Sequence, residues 1–216
     1  STPLREAFGW DQPPRPAVVC AQLIHCASLF TPESSPDEEL LWARLLGPAY
    51  EQLACVVDTP AFTGVNAMLR ARPCLWMGAA YGFLSPEHVA FEELPVSTAY
   101  LACVSAPLKP FEPLLRALGV RDSFEARDFE HVNACYVRDF GAAALPPEQL
   151  ATCVSALQAA EKASNGAELS SSFFLPDADG KLRAAAELTF DDAPWMSAAL
   201  RQRPDASGIK FVHESV

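Results

Sequence analysis

No apolar run in these 216 residues reaches the roughly 20 that a bilayer-crossing helix needs; the most apolar early stretch, Ala17 to Phe30, is broken by Gln22 and His25. A membrane span is not expected. Positive charge is also scarce. Sixteen Lys and Arg stand against twenty-seven Asp and Glu, a net charge of -11, which repels phosphate backbones and anionic lipid. Neither nucleic acid nor a membrane is an expected partner. There is no CxxC pair, no GxxxxGK(S/T) or GxGxxG phosphate loop and no GxSxG elbow. No cofactor, metal ligand or catalytic residue is therefore expected. The chain opens Ser-Thr-Pro-Leu without an initiator Met or a signal-peptide pattern and stops at Val216 in an apolar phrase, so it is expected to be a piece of something longer.

Half of the residues are hydrophobic, enough for a substantial core in one large domain or two small ones. The seven cysteines are odd in number, widely spaced and set mostly among Ala, Val and Leu. That is the pattern of unpaired thiols acting as small buried hydrophobes in a reducing compartment, and an intracellular location is expected.

Start signals and periodicity predict several helices. Pro16 precedes Ala17 to Phe30, where Val19, Leu23, Cys26, Ala27 and Phe30 share a face. Ser35, Pro36 and Glu38 resemble a capping box. The helix after them carries Leu41, Leu45 and Leu46 and should kink or break at Gly47-Pro48 before resuming toward Val57. Another helix is predicted after Pro60 to about Arg72, one from Pro110 with Leu114, Leu115 and Leu118 inward and Gly119 as its cap, one from Ala126 to Tyr136, and one from Pro147 to Asn165-Gly166.

Short aromatic and apolar runs between 74 and 91 predict one antiparallel hairpin. A second is predicted over 172–191, with Phe173-Phe174-Leu175 and Leu188-Thr189-Phe190 flanking a turn at Asp179-Gly180. A short helix near Trp195 and a terminal strand, Ile209 to Val212, complete the expectation. No internal repeat is visible. The fold class is α+β, mainly helical, in one segment with a helical part at about 16–72, a mixed part at about 73–165 and a hairpin-containing end at about 170–216.

The constellations that could carry chemistry are few. Cys20, His25 and Cys26 are the nearest approach to a metal set, but positions 20 and 26 lie roughly 120° apart around a helix and do not converge. A thiol nucleophile would need a histidine delivered by the fold, such as His131 to Cys103 or His88 to Cys74. Asp177-Ala178-Asp179-Gly180 begins like a calcium loop, but its glycine comes about two residues too early for an EF-hand. A hairpin tip is the favoured reading. Asp191-Asp192 suits a cap or turn, and the four tryptophans, Trp10, Trp42, Trp76 and Trp195, suit core anchors.

Several phrases, in order, resemble the internal repeats of the sacsin family. They are Ala7-Phe8-Gly9-Trp10; Leu75-Trp76-Met77-Gly78 with Phe83-Leu84-Ser85-Pro86 and Val89-Ala90-Phe91; Leu115 followed by Val120-Arg121-Asp122-Ser123-Phe124; and Leu175-Pro176-Asp177-Ala178-Asp179-Gly180 with Leu182, Glu187-Leu188 and Asp192-Ala193-Pro194-Trp195. Phe211-Val212-His213-Glu214-Ser215 closes the series. Phe129 stands where the family usually has Tyr, and Asp191 where Asn is commoner.

The resemblance implies the later part of a repeat that begins with a GHKL-type, heat-shock-chaperone-like ATPase domain, whose nucleotide-binding residues have no counterpart here. It also implies chaperone or co-chaperone work in cytoplasmic protein folding and quality control, with the neighbouring ATPase-like domain, other chaperones or clients as partners. The expected role is a non-catalytic scaffold or interaction module. The alternatives are a cysteine-dependent enzyme domain and a client-binding module built on exposed aromatics.

Overall fold

The computed structural model describes residues 13–31, 37–94, 98, 100–164, 173–191, 209–213 and 216. The fold is α+β, with helices and short two-stranded sheets. It divides into two compact units, residues 1–94 with 101–123 and residues 95–100 with 124–216. No helix among the described residues is long and apolar enough to cross a membrane.

The first unit is built on α1 (Pro16–Leu29), α2 (Glu38–Leu41), α3 (Gly47–Ala54) and α4 (Phe62–Leu69). Pro16 sits in the first turn of α1, where its missing amide costs nothing, and Val19, Cys20 and Leu23 turn inward. α1 packs on both α3 and α4. Ser35 and Pro36, predicted to open the next helix, lie outside the described residues; at the described helix start the Leu40 amide donates to Asp37 Oδ1 at 3.0 Å.

Of the kink or break expected at Gly47-Pro48, the break does not occur. Trp42–Leu46 forms a π-helical turn, and Gly47 continues in right-handed geometry with its amide donating to the Trp42 carbonyl. Widening the ladder by one residue absorbs the proline, which has no amide to give and whose ring would collide with a regular preceding turn. α3 then ends at Ala54 and α4 at Leu69, short of the predicted Val57 and Arg72.

β1 (Leu75–Trp76) pairs antiparallel with β2 (Phe83–Leu84), as the composition of 74–91 predicts. Gly78 and Gly82 hold the loop at positive φ, and the Gly82 amide donates to the Gly78 carbonyl at 2.8 Å. The predicted hairpin does not extend to Phe91. Instead β3 (Val89–Ala90) pairs in parallel with β4 (Ala102–Cys103), and Ala90 also bridges Arg121 in parallel. A 3₁₀ turn over Pro86–His88 redirects the chain between the two pairings. α5 (Glu112–Leu118) buries Leu114, Leu115 and Leu118 and is closed by Gly119 in the left-handed region at φ 102°, as predicted. Arg116 on α5 pairs with Glu112 and Asp122 and lies 4.5 Å from the Phe91 ring centre.

In the second unit α6 (Ala126–Phe140) and α7 (Pro147–Ala163) pack against each other. α6 opens with a capping box, the Glu125 amide donating to Asp128 Oδ2 at 2.8 Å, and runs four residues beyond the predicted Tyr136. Its inner face is Phe129, Val132, Asn133, Cys135 and Tyr136. Of the face that the spacing predicts, Leu150, Val154, Leu157 and Ala160, α7 buries the last three, with Cys153 and Ala156 alongside, and leaves Leu150 half-buried. Its predicted stop at Asn165-Gly166 lies outside the described residues.

The second hairpin differs from expectation in its return strand. β5 (Phe174–Pro176) pairs with β6 (Leu182–Ala184), not with Leu188-Thr189-Phe190. The turn closes immediately after Asp177, so the return strand begins six residues before Leu188, and a 3₁₀ turn at Ala185–Glu187 then carries the chain away. Thr189 bridges Phe211 in parallel, while Val212 bridges Asp177. The predicted terminal strand is thus reduced to the pairings of Phe211 and Val212. The helix expected near Trp195 lies outside the described residues.

Candidate functional site

The thiols were the strongest candidates for chemistry, and burial works against nucleophilic use of four of them, Cys20, Cys74, Cys135 and Cys153. Cys20 and Cys74 are wholly buried; burial pushes the first up to about 11 and the second to about 12. Cys153 is likewise pushed up to about 11 by burial. A nucleophilic cysteine needs the opposite shift. Cys74 and His88 are engaged elsewhere: the thiol lies 3.6 Å from the Leu69 carbonyl, and His88 Nδ1 is 3.0 Å from Ser85 Oγ. Cys103 belongs to the first unit and His131 to the second.

The structure pairs His131 differently. Its Nε2 lies 3.5 Å from Cys135 Sγ, one helical turn away on α6. Burial raises the Cys135 thiol, outweighing the opposing pull of nearby Arg138. The contact therefore holds a neutral thiol. Cys20 is buried while His25 is exposed, so the Cys20, His25, Cys26 set does not converge, and no cluster of three or more His, Cys, Asp or Glu among the described residues is placed to hold a metal.

Two buried polar nodes fix the architecture. Tyr50, 1% exposed, donates to the Cys74 carbonyl at 2.7 Å and accepts the Trp76 amide at 3.1 Å, tying α3 to β1. Burial raises its phenol well above the usual range. Asn133, 2% exposed, pairs both ways with Phe174: Nδ2 donates to the carbonyl and Oδ1 accepts the amide, each at 2.8 Å. It serves β5 as an edge strand would.

Asp177 organises the β5–β6 turn. Its Oδ1 accepts the amides of Asp179 at 2.9 Å and Lys181 at 3.0 Å, and its Oδ2 accepts Arg183. Burial works to raise this carboxyl, but Arg183 and the two amides prevail and hold it below the usual carboxylate range. These bonds account for the Asp177-Ala178-Asp179-Gly180 phrase as a folded turn. Asp191 is half-buried, and Asp192 lies outside the described residues.

Trp76 is buried and Trp42 half-buried, the latter 5.7 Å from Tyr50 between ring centres; Trp10 and Trp195 lie outside the described residues. The least expected surface belongs to α1. Ala17, Val18, Ala21, Gln22, His25, Ser28 and Leu29 face outward at helical spacing, with Val18 57% and Leu29 66% exposed. No Asp, Glu, Lys or Arg occurs anywhere in the helix. A surface helix ordinarily turns charged residues to water, and one apolar on all sides is ordinarily covered on all sides. The helical periodicity was legible in the sequence, but nothing there told which face stays open. No protein-family model, curated protein or solved structure matches this chain.

Proposed function

We propose that this chain is a folded, non-catalytic scaffold or interaction module of a sacsin-like chaperone or co-chaperone, acting in cytoplasmic protein folding and quality control. The observation that carries the interaction role is the uncharged outer face of α1, which exposes Val18 and Leu29 where a solvated helix would carry charge. The ordered sacsin-like phrases support the family. Those in described residues do architectural work: Leu75-Trp76 and Phe83-Leu84 form a hairpin, Val89-Ala90 a strand, and Leu175 to Gly180 a turn held by Asp177. A neighbouring GHKL-type ATPase domain, other chaperones or clients are the partners this reading supplies. ATP turnover by the isolated chain tests it: hydrolysis at the buffer background is expected, and robust turnover that survives repurification would overturn it.

A further inference from the structure

His131 Nε2 and Cys135 Sγ face each other at 3.5 Å across one turn of α6. Imidazole nitrogen and thiolate sulfur are both ordinary ligands of Zn²⁺, at about 2.0–2.1 Å and about 2.3 Å respectively. Two bonds of those lengths meeting at a tetrahedral angle set nitrogen and sulfur about 3.5 Å apart, whereas a linear two-coordinate ion would need about 4.3 Å. The pair therefore stands at the bite of a tetrahedral ion and could exchange its shared proton for one without a change of helix geometry.

The surroundings set the affinity. His131 is exposed and Cys135 is 4% exposed, so the ring lies on the solvent side of the thiol. Arg138 and Asp139 act on the thiol in opposite senses, the guanidinium opposing a cation there and the carboxylate favouring one. Asp139 is itself held by Arg138 Nε at 2.7 Å and by the Tyr100 hydroxyl. With those charges offsetting each other, binding rests on the two ligand bonds.

We propose that His131 and Cys135 form an exchangeable Zn²⁺ site on α6, with Nε2 and the Sγ thiolate as the protein ligands and water in the two remaining positions. Binding breaks the S–H bond: the proton leaves to solvent, the sulfur electron pair makes the Zn–S bond, and the neutral imidazole lends its Nε2 lone pair. The ion then clips one turn of the helix whose Asn133 holds β5, and so stabilises the second unit. The site goes beyond the interaction-module reading and does not depend on it.

Titration of Co²⁺ into the reduced, metal-free full chain tests it, because tetrahedral coordination gives intense visible bands and thiolate ligation a near-ultraviolet charge-transfer band. Both should saturate at one ion per chain and be displaced by Zn²⁺, with Kd in the micromolar range. Cys135→Ser should abolish the charge-transfer band. His131→Gln, at an exposed position where folding is not at stake, should weaken binding at least about tenfold. Arg138→Gln, which removes the opposing cation, should tighten it about two- to fivefold. Cys55→Ser, which removes an exposed thiol, should change nothing.

Absence of saturable binding, binding indifferent to His131→Gln, a charge-transfer band lost with Cys55→Ser, or one ion shared between two chains would each overturn the proposal. None of these results bears on ATP turnover, so the two readings fail separately.

Discussion

Gly82→Ala offers a sharp test of the packing between α1 and the β1–β2 hairpin. Gly82 sits at φ 66°, where a side chain costs about 1–2 kcal/mol in backbone strain. A Cβ there would also stand 2.6 Å from Phe30 Cε1 and 2.7 Å from Cδ1. Moving the ring aside would disturb its edge-on contacts, with centres 5.0 Å from Trp76 and 6.3 Å from Phe83. Overpacking of this kind costs about 1–3 kcal/mol more, so Gly82→Ala should lose about 2–5 kcal/mol in all.

Two other glycines calibrate that figure. Gly119, at φ 102°, has as its nearest contact Arg70 Nε at an ordinary 3.7 Å, so Gly119→Ala should show backbone strain alone, about 1–2 kcal/mol. Gly64, inside α4 with nothing within 4 Å, should gain about 0.5–1 kcal/mol as Ala. Urea unfolding followed by tryptophan fluorescence reads all three, with the two units fitted as separate transitions if they unfold separately. A Phe30→Leu replacement in the Gly82→Ala background should return about 1 kcal/mol of coupling. A Gly82→Ala loss no larger than that of Gly119→Ala, with no coupling to Phe30, would refute the packing argument.

Asp177→Asn should cost about 1–3 kcal/mol at neutral pH, because Arg183 loses its carboxylate. Since the folded carboxyl titrates below its ordinary value, the contribution is present above about pH 4 and disappears as pH falls through the lower folded value, so the wild type and variant should converge in acid; a gap independent of pH contradicts this. Tyr50→Phe should cost about 1–3 kcal/mol in chemical denaturation, since it strands the Trp76 amide and the Cys74 carbonyl, and a neutral result would remove this node from the account. Timed iodoacetamide labelling with mass spectrometry should modify exposed Cys55 first, with Cys20, Cys74 and Cys153 at least about tenfold slower; one hyper-reactive buried thiol would revive the cysteine-enzyme alternative.

Much of the helical framework was visible because its signals are local. Pro16, Pro147 and Gly119 mark boundaries through missing amides or left-handed backbone, and Leu114, Leu115 and Leu118 mark a face. What was not visible depends on distant partners. β4 is two residues long and gains its identity only by pairing with β3, thirteen residues earlier and in parallel. Leu188-Thr189-Phe190 has a strand-like composition, but the Asp177 turn had already chosen Arg183 and its neighbours as the return strand. Asn133 stands among apolar positions of α6 as one polar exception, a signal that could have been noticed, yet its partner lies forty-one residues away. The π turn over Trp42–Leu46 was the least legible feature, since the Gly47-Pro48 dipeptide signals a kink or a break but not the widened ladder that carries the helix through it.

The most direct test of the central claim is calorimetric titration of MgATP into this chain and into a longer chain that adds the GHKL-type domain proposed to precede it. The account predicts binding heat only from the longer chain, with this segment acting as a coupled interaction module. Tight, stoichiometric binding of MgATP to this chain alone would contradict it and would place a nucleotide site among these residues.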